Sequence, residues 1–410
     1  MAWLGFRVSV ALSVMTGAPT LLGCGGGTQS GFATMGMPGI PSMARIAANI
    51  VLAEVEIDHH RGPPFVIDTG SPFTLFDPSD YPGASFGSSA QLKIDVGFGQ
   101  FTVDDVPALQ IPLVANGVDL PPIVGGNLLR QFPTEVDYRG MKLRLGAGAP
   151  ATGVEEPGGS VSFALRGGGG ANVNGTIILF PATRVVVTAD FEGQPHTLIL
   201  DTGASEVAVR SSVYETLVGD GRAQLSGLPI STAMGLTSAQ VTRAKTITVA
   251  GQTVINPAVM TVGDELLDSL EGEIHIPVDG LLGGSFLREF LVTIDYPNKT
   301  LGLQRYTPPV AMVDEFKRVG FELGPGMGSH RYAVARVYPG TDAARQQIAV
   351  GDELVSVDGQ SLDALDGIAA DLLLDGEVGT SKQVGFGVTS TAVNANASLT
   401  IAVDDLLPAP

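Results

Sequence analysis

The chain reads as a strand-rich protein made of two related halves, followed by a smaller unit of different character. Three observations carry that reading. A short motif, apolar-apolar-Asp-Thr-Gly, occurs twice, as Val66-Ile67-Asp68-Thr69-Gly70-Ser71 and as Ile199-Leu200-Asp201-Thr202-Gly203-Ala204. Each copy is followed later by a matching closing segment, IVGGNLLRQFPTEVDYRGMKLRL from Ile123 and LLGGSFLREFLVTIDYPNKTLGL from Leu281. Beyond Asp314 the duplication ends, and a new series of apolar runs, turns and one helical stretch begins.

Residues 1–23 have the shape of a bacterial secretory signal: a short start with Arg7, an apolar stretch, then Leu21-Leu22-Gly23 before Cys24. The ending resembles a lipobox. That implies cleavage before Cys24 and a lipid on its sulfur, hence a membrane-anchored lipoprotein of the bacterial cell envelope, facing the periplasm or the exterior. An ordinary signal peptide with an unmodified thiol fits the same residues. Gly17 and Pro19 interrupt the run, so a transmembrane helix is not expected. Residues 24–44, rich in small and turn-forming side chains, read as a flexible tether, with order expected from near Ala44.

Residues 45–146 and 175–306 then pass through the same features in the same order. A strand-like run (Asn49 to Ile57; Arg184 to Phe191) meets a turn with Gly and Pro, then a strand ending in Asp-Thr-Gly. Two hairpin patterns follow, KIDVGFGQFTVDDVPAL from Lys93 and TITVAGQTVINPAVM from Thr246. The closing segments agree at Gly125 and Gly283, Arg130 and Arg288, Asp137 and Asp295, and Tyr138 and Tyr296. The second half carries roughly twenty extra residues after its aspartate, and these are expected to form a mobile hairpin over a cleft, tipped near Gly235. Residues 147–174, with RGGGG near their end, read as a linker or long loop.

At 410 residues, 44% of them hydrophobic, the chain can fill several ordinary cores. A formal charge of -19 argues against a polyanionic partner, so nucleic acid is not expected. The five histidines (His59, His60, His196, His275, His330) lack ligand spacing and Cys24 is the single cysteine, which argues against a structural zinc site and excludes internal disulfides.

A duplicated Asp-Thr-Gly turn can set two carboxylates face to face. Hydrolysis without a metal needs a base to take a proton from water and an acid to donate to the carbonyl oxygen. Two carboxyls sharing one proton supply both, because like charges a few ångströms apart cannot both ionise cheaply. Gly70 and Gly203 allow a tight turn whose amides donate to the carboxylate. Thr69 and Thr202 can place hydroxyls across the interface. Ser71 can offer a hydroxyl to Asp68 where Ala204 offers none to Asp201, so activity is expected closer to neutral pH than with hydroxyls on both sides.

These residues resemble the aspartic proteases, the pepsin and retropepsin superfamily, whose Asp-Thr-Gly loops pack on a later apolar-apolar-Gly turn. Here those turns are Ile123-Val124-Gly125 and Leu281-Leu282-Gly283. The resemblance covers about residues 45–305. It implies a mostly β, bilobal double-barrel fold, an endopeptidase binding an extended peptide between its lobes, catalytic Asp68 and Asp201, and no metal or organic cofactor. No counterpart of that family's flap tyrosine is assigned, since Tyr81 and Tyr214 follow their aspartates too closely.

Residues 312–405 resemble a PDZ domain, an α+β module. Val319-Gly320-Phe321-Glu322-Leu323 stands at the position of that family's carboxylate-binding loop and following strand, and Gly351-Asp352-Glu353-Leu354 with Val357-Asp358-Gly359 matches its later signature. The resemblance implies peptide binding at Gly320, Phe321 and Leu323 by strand addition. The chain's own tail, DDLLPAP, is one candidate occupant, and a small cap that only packs on the body is the plainer alternative. Three functional readings stay open: a monomeric aspartic endopeptidase acting on peptides or proteins, a non-catalytic peptide-binding lipoprotein, and half-sites that need a twin chain.

Overall fold

The computed structural model describes residues 7–8, 32–115, 118–149, 152–155, 157–173, 176–232, 235–308, 314–326, 330–365, 367–387 and 397–410. Cys24 lies outside them.

Six antiparallel strands form a base shared by both halves, in the order Gly159–Ser162, Thr300–Arg305, Phe290–Asp295, Pro133–Asp137, Lys142–Leu145 and Ser42–Ala47. The two closing segments meet at its centre, with Val136 opposite Val292 and Glu135 opposite Thr293. Alternation explains why these segments are strands. Leu143 and Leu145, and likewise Leu301 and Leu303, are buried on one face while their neighbours are not. A pseudo-twofold axis therefore passes through this central pair.

Above the base, each half repeats one crossed arrangement. Ile123–Val124 runs parallel to Phe65–Ile67 and antiparallel to Thr74–Phe76. In the second half, Gly280–Leu282 runs parallel to Gln194–Leu200 and antiparallel to Val207–Val209. The strands carrying the aspartates are thus flanked on both sides and their apolar residues are buried, as continuous apolar runs require. The expected hairpins form as Gln91–Phe98 with Phe101–Gln110 and as Thr246–Val249 with Gln252–Ile255.

Among the described residues only the second half builds the extra hairpin, Leu225–Thr232 against Gly235–Arg243, and Gly235 opens its return strand. Its outer strand also pairs in parallel with Arg7–Val8.

Two sequence expectations give way. Order begins before Ala44, since Thr34–Gly36 adds to Phe101–Gln110 and Ser42 already pairs with Leu143. The segment 147–174 is no plain linker. Gly159–Ser162 joins the base, Ala164–Arg166 joins the second lobe, and Gly169–Val173 pairs with Thr176–Phe180 in a hairpin bonded to no other described strand. Glycines hid this, because strand composition arguments discount them.

The C-terminal unit is a sheet ordered Lys317–Val319, Ser398–Asp405, Ser381–Phe386, Glu353–Val357, Tyr332–Val337, Phe321–Pro325, with helix Gly367–Leu372 on its core. It is not free of the body. Phe316 and Leu407 pack in one cluster with Leu228, Ile230, Ala239 and Val241 of the extra hairpin. Arg243, buried at the hairpin's foot, donates to the Leu407 carbonyl at 2.6 Å, grips Asp314 with both carboxylate oxygens at 2.7 and 2.8 Å, and lies over the Phe316 ring.

Candidate active site

The aspartates come together at the pseudo-twofold axis. Each Asp-Thr-Gly loop is held from below by the apolar-apolar-Gly turn of its own half, Asp68 N–H donating to Val124 O and Asp201 N–H to Leu282 O, both at 3.0 Å. Gly126 and Gly284 N–H then donate to Ser71 O and Ala204 O, both at 2.8 Å. Gly125 and Gly283 leave no space for a side chain, as a Cβ on either would fall 2.0 Å from the carbonyl oxygen of Phe73 or Glu206.

Across the axis the two threonines interlock. Thr69 Oγ1 donates to Leu200 O at 2.8 Å and accepts from Thr202 N–H at 3.1 Å; Thr202 Oγ1 donates to Ile67 O at 2.5 Å and accepts from Thr69 N–H at 3.2 Å. Both side chains are fully buried. Each loop is thus fastened to the strand beneath the other, which fixes the separation of the aspartates.

Each carboxylate rests on the opposite loop's glycine. A Cβ on Gly70 would lie 2.6 Å from Asp201 Cγ, and a Cβ on Gly203 would lie 2.6 Å from Asp68 Cγ. The inner oxygens are satisfied locally: Asp68 Oδ1 accepts from Gly70 N–H at 2.7 Å and Ser71 N–H at 3.0 Å, and Asp201 Oδ1 from Gly203 N–H at 2.9 Å. Both Oδ2 atoms are buried without a protein donor. Burial raises the proton affinity of both groups, and the facing charge of Asp201 raises Asp68 further, well above the ordinary carboxylate range. Burial also lifts Asp201, to about 6, against opposition from the facing Asp68 carboxyl and from Gly203 N–H. Such a pair holds one proton jointly.

One expectation fails at Ser71. Its hydroxyl donates to Phe73 O at 2.9 Å, and only its backbone N–H reaches Asp68. The Ser71/Ala204 difference therefore supplies no hydroxyl to one carboxylate that the other lacks. Tyr81 and Tyr214 are buried in apolar packing, Tyr81 edge-on to Phe76 and Phe86, and neither belongs to the hairpin.

Two sets of residues escaped the sequence reading. Tyr138 and Tyr296, related by the duplication, are buried with hydroxyls that lack a hydrogen-bond partner. Burial pushes both phenols up, and the charge of the other half's aspartate adds to it: Asp201 for Tyr138, Asp68 for Tyr296. Their matched place in the closing segments was the available signal. The second is Arg184, fully buried, which binds Glu273 through Nε at 3.2 Å and Nη2 at 2.9 Å. Its charge opposes the rise in both aspartates.

In the C-terminal unit, Phe321–Pro325 is an edge strand bonded only to Tyr332–Val337 among the described strands, which leaves the side on which a peptide could add. Phe321 and Leu323, however, point into the core with Ala370, Leu374 and Phe386. Their contribution to a groove is restricted to backbone. Gly320 O is occupied by Tyr338 N–H at 2.9 Å, and the Val319 amide is bonded to Leu374 O at 3.0 Å. Nor does the tail fill a groove: Leu406 N–H donates to Phe316 O and Leu407 is buried against the second lobe. Among the described residues no group of His, Cys, Asp or Glu could hold a metal ion, and no helix is long and apolar enough to cross a membrane.

Residues 187–286 match the aspartyl protease family and residues 310–405 match the PDZ domain family. The first match contains Asp201 and Gly283, and Asp68 lies in the duplicated half outside it. Among solved structures, an aspartic proteinase from Irpex lacteus is 14% identical over 67% of this chain and 98% of its own, with a TM-score of 0.39. A retropepsin-like aspartic protease from Rickettsia conorii is 23% identical over 30% of this chain and 83% of its own, with a TM-score of 0.24. No curated protein matches the chain. The protein is mostly β and two-lobed, and its second lobe matches the aspartyl protease family. Its C-terminal domain is a PDZ domain.

Proposed function

We propose that the protein is an aspartic endopeptidase in which Asp68 and Asp201 hydrolyse peptide bonds. The observation that carries the reading is the meeting of two buried carboxyls, each seated on the other loop's glycine, with both Oδ2 atoms free of protein donors. In the monoprotonated pair, the ionised carboxylate takes a proton from a water held between the Oδ2 atoms while the protonated partner donates to the scissile carbonyl. On breakdown of the tetrahedral intermediate the proton taken from water passes to the leaving amine, and a hydroxyl of the gem-diol returns its proton to the other carboxylate, restoring the monoprotonated pair. Thr69 and Thr202 hold the geometry without touching substrate. Both loops come from one chain, so the site requires no second copy.

The extra hairpin over the second lobe is read as the flap, and the PDZ domain as a module for peptide docking or regulation of that flap. Support for the latter is direct contact: Arg336 donates to Gly227 O at 2.8 Å and to Ser226 O, at the bulge in the hairpin's outer strand. The same strand-to-strand path continues inside the domain, where Tyr338 donates to Glu322 on the open edge strand.

A peptide library incubated with residues 32–410 tests the reading. Turnover abolished by Asp68→Asn and by Asp201→Asn is the expected result. Binding of a statine-type peptide analogue without turnover would instead make this a peptide-binding scaffold. From the leader's pattern we also place the protein on the cell envelope through a lipid on Cys24. Cys24→Ser should release it from membranes, and an unchanged membrane fraction would count against the anchor.

A further inference from the structure

The two halves differ at one position beside the aspartates. In the first half Leu52 pairs with Val66, and the same register carried two residues on sets Ile50 opposite Asp68. In the second half Val186 pairs with Ile199, and the same step sets Arg184 opposite Asp201. The equivalence is confirmed one residue earlier. Asn49 packs on Gly284 and Thr183 packs on Gly126, each against the opposite half's Gly-Gly turn. A fully buried guanidinium therefore stands in the second half where the first has an aliphatic side chain.

We propose that Arg184, held by Glu273, is a positioning residue that stabilises the single negative charge of the Asp68/Asp201 pair and so sets the pH range over which the pair is active. Directly opposed residues in a ladder share a face with Cβ atoms about 5 Å apart. A charged side chain placed on that face beside a buried carboxyl acts strongly, because screening by solvent is weak. Among the described residues, the charged and titratable groups around Arg184 and the pair include Glu273 from the helix Asp264–Ile274, Arg166 opposite it on Ala164–Arg166, the two aspartates, and the phenols of Tyr138 and Tyr296 beside those aspartates. Of these, only Glu273 grips the guanidinium bidentately, and Arg166 is exposed. Ion pairing to a helix fixes the guanidinium in place and trims its field without cancelling it. Consistent with this arrangement, the Arg184 charge lowers the proton affinity of both aspartates.

This inference rests on the protease reading, and the test separates the two. The pH dependence of kcat/KM is measured for the native protein, Arg184→Gln, Arg184→Lys and Glu273→Gln, with thermal unfolding checked for each. Arg184→Gln should move both limbs of the profile upward by roughly one pH unit, Glu273→Gln should move them downward, and Arg184→Lys should fall near the native profile. A merely structural role lowers the rate at every pH and moves neither limb, and that outcome overturns the proposal. Should Arg184→Gln fail to fold, the downward shift in Glu273→Gln still decides. A native protein without turnover defeats the protease reading itself, whereas native turnover with immobile limbs defeats only the role of Arg184.

Discussion

At the level of single residues, burial governs the aspartates. The sequence suggested a near-neutral optimum from a missing hydroxyl at Ala204, but Ser71 spends its hydroxyl on Phe73 O. The near-neutral expectation survives on a different cause, the desolvation that raises both carboxyls. Since the pair works with one proton, kcat/KM should fall as pH drops through about 6. A profile peaking below about 4 would refute the assignment of burial as the dominant influence. Stability depends on pH in the opposite sense. A carboxyl whose folded pKa is raised binds its proton more tightly folded than unfolded, so its ionisation opposes folding above the ordinary carboxylate range, fully so above the folded value. Asp201→Asn should therefore raise the unfolding free energy at pH 7 by about 1–3 kcal/mol and leave it nearly unchanged at pH 3, as measured by denaturant titration. Gly70→Ala and Gly203→Ala should each abolish turnover, because the added methyl enters the space of the opposite carboxylate. A variant retaining native rates would show that the two loops separate more than this structure has them.

Among elements, the hairpin and the tail form one unit. The extra residues after Asp201 were visible as a length difference, and their pairing as a hairpin follows from their alternation. What they pack on was not visible. Leu407 is fully buried beside Leu228 and Ile230, although only three residues follow it in a segment that reads as a free tail. Leu407→Ala should cost about 2–4 kcal/mol in an unfolding titration and expose the hairpin to an added protease. Native-like stability would mean that the tail is not seated there in solution. The segment 147–174 teaches a related lesson. Its glycines and prolines signal turns correctly, yet its strands are stabilised by partners far along the chain, Gly159–Ser162 on Thr300–Arg305 and Ala164–Arg166 on Arg184–Phe191. Local composition cannot report such partners.

For the molecule as a whole, the PDZ domain is fixed against the lobe that carries the hairpin. The ion pair of Arg243 with Asp314 and the apolar contacts of Phe316 supply the attachment, and the bonds of Arg336 to the hairpin's bulge supply a point of leverage. Arg336 is partly exposed, so its loss should change stability by less than about 1 kcal/mol. Arg336→Ala should instead alter KM by roughly 2–5-fold with the pH limbs unmoved, since it acts on the hairpin and not on the aspartates. Identical KM values in the variant and the native protein would leave the PDZ domain a docking module without influence on the flap.

Residue types and their order were enough to show the duplication, the two Asp-Thr-Gly loops with the turns beneath them, the threonines placed to cross between them and a C-terminal PDZ domain. Each depends on residue types that few backbone geometries accept, and those types recur in fixed order. The tertiary structure alone decided which groups surround the aspartates: Arg184 in one half against Ile50 in the other, the unpartnered tyrosines below, and the tail folded back beneath the hairpin. Those are contacts between segments distant in the chain, and their energies arise from burial and from charges brought close in a poorly solvated interior, neither of which is written in any local pattern.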